Sequence, residues 1–158
     1  MEAGDEMSSY PLALDYEAER PELVVIVPGR PATGSFRFAR GRTFTPANVA
    51  DWKAAVRLMV QQAVETMIAK GYPVEVTILV RRPRPKSPKK PTKDKPCPWA
   101  WTTRPDCDNV TKPLKDALKT VAFADDNQVT DLIVRKRWGE REEVEIRVRQ
   151  MTEAEHVA

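Results

Sequence analysis

One histidine and two cysteines in 158 residues remove several chemistries at once. His156 stands in a polar C-terminal tail, so neither a Ser-His-Asp nor a Cys-His arrangement has a base to work with. Two cysteines and one histidine cannot build a structural zinc site. Cys97 and Cys107 are expected to be free thiols in a reducing compartment. Glycine is scarce too, at six residues. Gly29, Gly34 and Gly41 are too far apart for either common phosphate-binding fingerprint, so no nucleotide cofactor is expected. No apolar run approaches the roughly twenty residues a membrane span requires. A soluble, cytoplasmic protein of one-domain length is the expectation.

Charge and proline are abundant and unevenly placed. Residues 1–22 hold seven acids against Arg20, a net charge of −6. A flexible acidic tail is expected there, with a single domain over 23–150 and a frayed tail over 151–158. Residues 81–105 hold nine basic side chains against Asp94, a net charge of +8, together with seven of the chain's 14 prolines. Proline at that density makes 83–105 a loop and excludes a helix or an inner strand through it. A basic loop of this kind attracts a phosphate backbone through counterion release without reading sequence. Lys89, Lys90, Lys93, Lys95 and Arg104 are its candidate DNA contacts. A solvated linker is the competing reading. The expectation is a loop that stays mobile without substrate, with Trp99 and Trp101 anchoring it rather than stacking on a base. Arg30, Arg37, Arg40 and Arg42, interleaved with Phe36, Phe38 and Phe44, form a second candidate DNA surface.

The basic loop runs into Arg104-Pro105-Asp106-Cys107-Asp108-Asn109. If residues 104–108 are extended, Asp106 and Asp108 leave the same face. Two hard oxygen ligands then converge on a Mg²⁺ or Mn²⁺ ion, which needs only a few carboxylates beside waters and substrate phosphate. A metal held there can activate water and neutralise charge on a phosphodiester. Helix N-capping is the competing role for one of the two acids. A calcium loop is excluded, because Thr111 and Ala117 stand where an EF-hand needs Gly and Glu. Asp126, of the pair Asp125-Asp126, is the preferred third ligand. A twelve-residue helix carries the chain about 18 Å away, and residues 122–126 return at most about 16 Å. Closure within one chain is therefore tight, and a carboxylate from a partner chain is the alternative. Lys112, four residues after Asp108 and four before Asp116, is the candidate contact to the scissile phosphate. An ordinary i,i+4 ion-pair ladder competes for that residue.

Apolar periodicity predicts a buried strand over 23–27, a possible hairpin across Phe36–Phe44, a helix from Thr45-Pro46 to about Lys70, and a strand over 74–81. A second helix over 110–121 follows, in which Pro113 should fall in the first turn or a kink. Val129–Trp138 and Glu143–Arg149, separated by Gly139-Glu140, predict a terminal β-hairpin. The fold class is α/β of the α+β type: a mixed β-sheet with two main helices packed on it.

Arg104-Pro105-Asp106-Cys107-Asp108-Asn109-Val110-Thr111-Lys112, then Asp116-Ala117-Leu118, then Asp125-Asp126-Asn127-Gln128-Val129, resemble the RusA family of Holliday junction resolvases. Looser likeness extends through Pro28-Gly29-Arg30-Pro31 and covers roughly 23–149. Pro113, the basic insertion from Lys86 to Lys95 and the acidic tail depart from the family pattern. The resemblance implies metal binding by Asp106, Asp108 and Asp126, a need for Lys112 in cleavage, a homodimer, and work on branched DNA in a bacterial or phage-infected cell. Two symmetric nicks in a four-way junction suit a two-fold dimer. Resolution of Holliday junctions in recombination, repair or phage DNA processing is thus the expected function. Cleavage of other branched DNA or RNA, or DNA binding without catalysis, is the rival expectation.

Overall fold

The computed structural model describes residues 20–33, 37–39, 42–44, 47–86 and 90–157, with the backbone alone at 37–39 and 42–44. The acidic tail before Arg20, the Thr45-Pro46 helix start, Lys89, Arg40 and the side chains of Arg37 and Arg42 lie outside the described residues, as do the phenylalanine side chains interleaved with those arginines. In chain order the elements are β1 (Glu22–Pro28), β2 (Arg37–Ala39), β3 (Arg42–Phe44), α1 (Ala47–Ala63), β4 (Val74–Pro83), α2 (Cys107–Leu118), β5 (Val129–Gly139), β6 (Glu143–Gln150) and α3 (Glu153–Val157). β2 and β3 pair antiparallel as the expected hairpin.

The four long strands form one mixed sheet in the order β1-β6-β4-β5. Val74, Val76, Ile78 and Val80 of β4 are fully buried, and the alternate residues of its other face are half-buried. That pattern marks a central strand. Leu23, Val25 and Val27 of β1 and Val144, Ile146 and Val148 of β6 point to the same side, where they meet Val56 and Val60 of α1 and Val110, Leu114 and Leu118 of α2. The sheet and two helices enclose one hydrophobic core, as the α+β expectation requires.

Several local expectations are corrected. β1 is an edge strand rather than a buried one, since Val24 and Ile26 on its outer face are 47% and 49% exposed. β5 and β6 do not form a hairpin: β4 lies between them, parallel to β5 and antiparallel to β6. Gly139 aligns with Pro83 and Glu143 with Arg81, so residues 140–142 step across the end of β4. Alternation shows which face of a strand is buried but not which strand is its neighbour, and that is why the hairpin expectation failed. α1 stops at Ala63. Ile68 instead donates its N–H to the Ala122 carbonyl at 2.9 Å and bridges to Phe123. β-Branched Val64, Thr66 and Ile68 lower the cost of leaving the helix. Gly71, with φ of 94°, follows that turn rather than capping the helix.

α2 begins earlier than expected, at Cys107, which places Pro113 in its second turn. The C-terminal end of α2 is closed by Arg57 of α1, which donates to the carbonyls of Lys119 at 2.9 Å and Ala117 at 3.4 Å and to Thr120 Oγ1 at 2.9 Å. A cation there satisfies orphan carbonyls and complements the helix dipole. Lys53 of α1 meets Asp116 of α2 at 3.0 Å, so Asp116 has a partner on the neighbouring helix.

The segment after Met151 is ordered into α3 rather than frayed. Thr152 Oγ1 accepts from the Glu155 backbone N–H at 3.0 Å, and Glu155 Oε2 accepts from the Thr152 backbone N–H at 2.9 Å, a reciprocal capping box. Glu155 also meets Arg149 at 2.7 Å. The Thr152 N–H first, and then Arg149, hold the Glu155 carboxyl at about 2, below its ordinary 4.5. Depression in the folded state means the stabilising contribution is complete above pH 4.5 and is lost as pH falls toward 2. The protection of the α3 amides, their exchange rate relative to an unstructured peptide at the same pH, is expected to fall as pH falls over that window in the native protein, whereas Glu155→Gln should show low protection at every pH. Equal protection in both proteins across the window would contradict this assignment.

Candidate functional site

Asp106 occupies the N-cap position of α2 in extended conformation (φ −77°, ψ 149°), yet its side chain makes no capping hydrogen bond. Among the described residues, its carboxylate accepts only a long bond from Asn109 Nδ2, at 3.4 Å. Both Asp106 and Asp108 are solvent-exposed. The capping role that competed for Asp106 is therefore not taken up by its side chain. The backbone carrying the two acids differs from the expected extended segment: Asp106 is the last non-helical residue and Asp108 lies in the first helical turn. Acidic side chains are favoured at a helix N-terminus by its positive end. Lys112, one turn further on, is exposed.

The α2 N-terminus is held against β5. Lys136 Nζ donates to the carbonyls of Thr103 at 2.8 Å and Pro105 at 3.0 Å, and it also lies 5.4 Å from the centre of the Trp101 ring. Trp101 is 8% exposed and stacks on Trp138 with ring centres 5.4 Å apart. The end of the proline-rich loop is thus fixed to the sheet, contrary to the mobile loop expected. Nothing in the sequence distinguishes Lys136, which stands between Arg135 and Arg137 as one more cation of a charged strand segment. The Arg104–Pro105 peptide is cis.

A cavity of about 620 Å³ opens beside the acids, lined among others by Arg30, Asn48, Trp52, Arg104, Asp106 and Asn109. Arg30 and Arg104 thus share one concavity with Asp106. Arg30 also lies 3.5 Å from Glu142, with more than half of its side chain exposed. The Trp52 indole N–H in this wall is buried with no hydrogen-bond partner among the described residues. Lys90 and Lys95 line a second, smaller cavity formed by the proline-rich loop, and Lys93 is exposed between them. Cys97 and Cys107 are free thiols.

Asp125 and Asp126 stand at the other end of the helix. They precede β5, whose first residue Val129 pairs with Val74, whereas Pro105 contacts Lys136 seven residues further along that strand. Seven strand residues span about 23 Å at roughly 3.3 Å each, and the twelve-residue α2 spans about 18 Å. Both routes place Asp126 on the order of 20 Å from Asp106 and Asp108. No group of three His, Cys, Asp or Glu side chains able to hold a metal occurs among the described residues. The fold sets Asp106 and Asp108 at one end of α2 and Asp126 beyond the other.

That second acidic end is nevertheless tightly organised. Asp125 caps the turn Asp126–Gln128 in a capping box, accepting from the Asn127 N–H at 3.4 Å and donating its own N–H to Gln128 Oε1 at 2.8 Å. Gln128 is buried and donates to the carbonyls of Ala69 at 2.6 Å and Tyr72 at 3.1 Å. One amide side chain thereby fixes both the turn and the approach to β4. Lys119 Nζ lies 3.4 Å from Asp126 Oδ2, while Asp126 Oδ1 is buried with no hydrogen-bond partner among the described residues. A buried carboxylate oxygen with nothing to accept is costly unless a cation or donor completes it. Neither Gln128 nor Lys119 was among the expected site residues, although the Asp-Asp-x-Gln spacing carries a signal for Gln128 through the capping-box pattern.

A Bacillus subtilis (strain 168) protein described as "Uncharacterized protein YqaN" is 37% identical over 131 residues, covering 80% of this chain and 91% of that protein. Residues 28–149, which include both acidic ends and every strand of the main sheet except most of β1, match the family described as Endodeoxyribonuclease RusA. This chain belongs to the RusA endodeoxyribonuclease family.

Proposed function

We propose that the protein is a divalent-metal-dependent, structure-selective endonuclease that resolves four-way DNA junctions by paired, symmetric nicks. The observation that carries this reading is the Asp106 carboxylate, held at a helix N-cap without a capping bond, beside Asp108 and in one concavity with Arg30 and Arg104. The donor set fits Mg²⁺ or Mn²⁺, because carboxylate oxygens are the hard ligands those ions take. Asp106 and Asp108 would hold the ion, and Asp126 of a second copy would complete the set. When bound, such an ion activates water and stabilises charge on the phosphoryl oxygens.

The remaining steps fall to the chain's own residues. Arg30 and Arg104 bind phosphates of the cut strand and set its register against Asp106. Lys112, on the exposed side of α2 one turn from Asp108, supplies a positive charge to the scissile phosphate. The requirement for a second Asp126 ties cleavage to a homodimer, and a two-fold dimer presents two equivalent sites to a junction of matching symmetry.

The deciding experiment uses a labelled synthetic four-way junction and a linear duplex of the same sequence, each with Mg²⁺, Mn²⁺ or EDTA. Paired nicks in the junction alone, abolished by EDTA, are the expected result. Junction binding without cutting under every metal would replace this reading with that of a DNA-binding protein.

The basic loop gives a separate expectation. Replacing Lys89, Lys90, Lys93 and Lys95 together by glutamine should weaken binding to junction and duplex alike. Each phosphate no longer neutralised lowers the slope of log K against log salt by about 0.9, so the change should reach about 2–4. An unchanged slope in a binding titration from low to moderate salt would make the loop a linker.

A further inference from the structure

Of the four tryptophans in the chain, three are packed. Trp101 is buried, Trp138 stacks on it, and Trp52 is half-buried against the core. Trp99 is 68% exposed. Its placement nevertheless is not that of a loosely held loop residue. The Ala100 N–H donates to the Cys97 carbonyl at 3.0 Å, which closes a β-turn with Pro98 and Trp99 as its central residues. Pro98 presets the backbone for the first of those positions. The Trp138 indole N–H donates to the Trp99 carbonyl at 3.0 Å and fastens the turn to β5. The backbone of Trp99 is therefore pinned while its ring is presented to solvent. A large apolar ring left in water forgoes the burial that stabilises such side chains elsewhere, so a surface position needs a reason.

Its surroundings supply one. Pro98 and Ala100, on either side of Trp99, line a cavity of about 140 Å³ whose wall also carries Arg84, Lys90 and Lys95. Lys136 ties the same end of β5 to Pro105, the residue before Asp106. Trp99 thus stands between two residues of a cavity that carries three cations, at the same end of the sheet as Asp106. Rigid aromatic rings bordered by Lys and Arg are the means by which proteins hold unpaired bases: the ring stacks on the π-face and the cations bind the flanking phosphates.

We propose that Trp99 is a stacking platform for an unpaired or end-exposed base at the branch point of DNA, and that Arg84, Lys90 and Lys95 hold the adjoining phosphates. The assignment corrects the sequence-based expectation that both Trp99 and Trp101 anchor the loop; Trp101 alone does so. It rests on the junction-resolving reading and deepens it. A perfect duplex offers no free base face along its length, whereas a branch point exposes the ends of four stacked arms. Trp99 therefore acts as a positioning residue that favours branched over linear DNA.

The test measures binding of the full chain, in EDTA so that strands stay intact, to a synthetic four-way junction and to a linear duplex of the same sequence. Native protein, Trp99→Phe and Trp99→Ala are compared, with tryptophan emission followed in each titration. The expected result is quenching of the solvent-exposed emission of native protein by the junction more than by the duplex. Trp99→Ala should lose about tenfold or more in junction affinity with duplex affinity unchanged, and Trp99→Phe should retain most of the native preference. Equal affinities of Trp99→Ala and native protein for the junction would overturn the stacking role. An equal loss on junction and duplex would also overturn it, because the ring would then serve the backbone contact common to both DNAs. If native protein itself shows no preference for the junction, the reading beneath this inference fails, and that outcome is visible before any variant is considered.

Discussion

Asp106→Asn and Asp108→Asn are each expected to lower junction cleavage by at least about 10³-fold while binding remains at or above the native level. Loss of one electrostatic group at a reacting phosphate costs about 10²–10³ in rate, and loss of a metal ligand adds the loss of the ion itself. Binding moves the other way, because each change removes a negative charge from a surface that must accept phosphate. The two variants should also remain folded. Asp106 makes no capping bond to lose, and both side chains are exposed. The checks are a single-turnover cleavage assay in Mg²⁺, a gel-shift titration, and a thermal melt of each variant. Cleavage retained in both variants would remove the metal assignment from this end of α2. Loss of binding together with cleavage would instead make the pair structural.

The acidic motif at α2 was more legible in the sequence than the architecture around it. Alternation in β4 and β6 and the apolar stripes of both helices correctly marked their buried faces, since periodicity reports burial directly. Strand order was not legible: β5 and β6 both alternate, but pairing depends on long-range contacts that no local pattern encodes. The end of α1 was missed for a similar reason. Its apolar stripe continues through Met67 and Ile68, but Ile68 is drawn instead into a bridge with Phe123, far downstream in the chain. At the candidate site, the acids were singled out by residue type and spacing, whereas the contacts of Lys136, Gln128 and Lys119 required the fold, because each is made with a segment outside its own element. The proline-rich loop read as mobile on composition. Tertiary contacts from Lys136 and Trp138 override that tendency at its C-terminal end.

Separation of Asp126 from Asp106 and Asp108 leads to the most discriminating expectation. Asp108→Asn and Asp126→Asn should each be inactive alone, yet a mixture of the two, allowed to exchange subunits, should cut. In a dimer whose sites combine Asp106 and Asp108 of one copy with Asp126 of the other, a mixed dimer holds one site carrying both substitutions and one site carrying neither. Random exchange makes about half of all dimers mixed, each with one intact site, so total cleavage should return to about a quarter of native. The products differ as well: a dimer with one working site nicks one strand and leaves the junction unresolved, so singly nicked junctions should accumulate. Sites built within one chain would give no recovery at any mixing ratio, because every chain in the mixture carries a defective site. The distance of about 20 Å set by α2 and β5 favours recovery. It also gives Lys119 a defined consequence. Lys119 neutralises Asp126 within its own chain at 3.4 Å, and a metal completed across the dimer must compete with that contact. Lys119→Gln should therefore lower the Mg²⁺ concentration needed for half-maximal cleavage, measured on the same junction, and a requirement that stays the same or rises would show that Lys119 does not compete for Asp126.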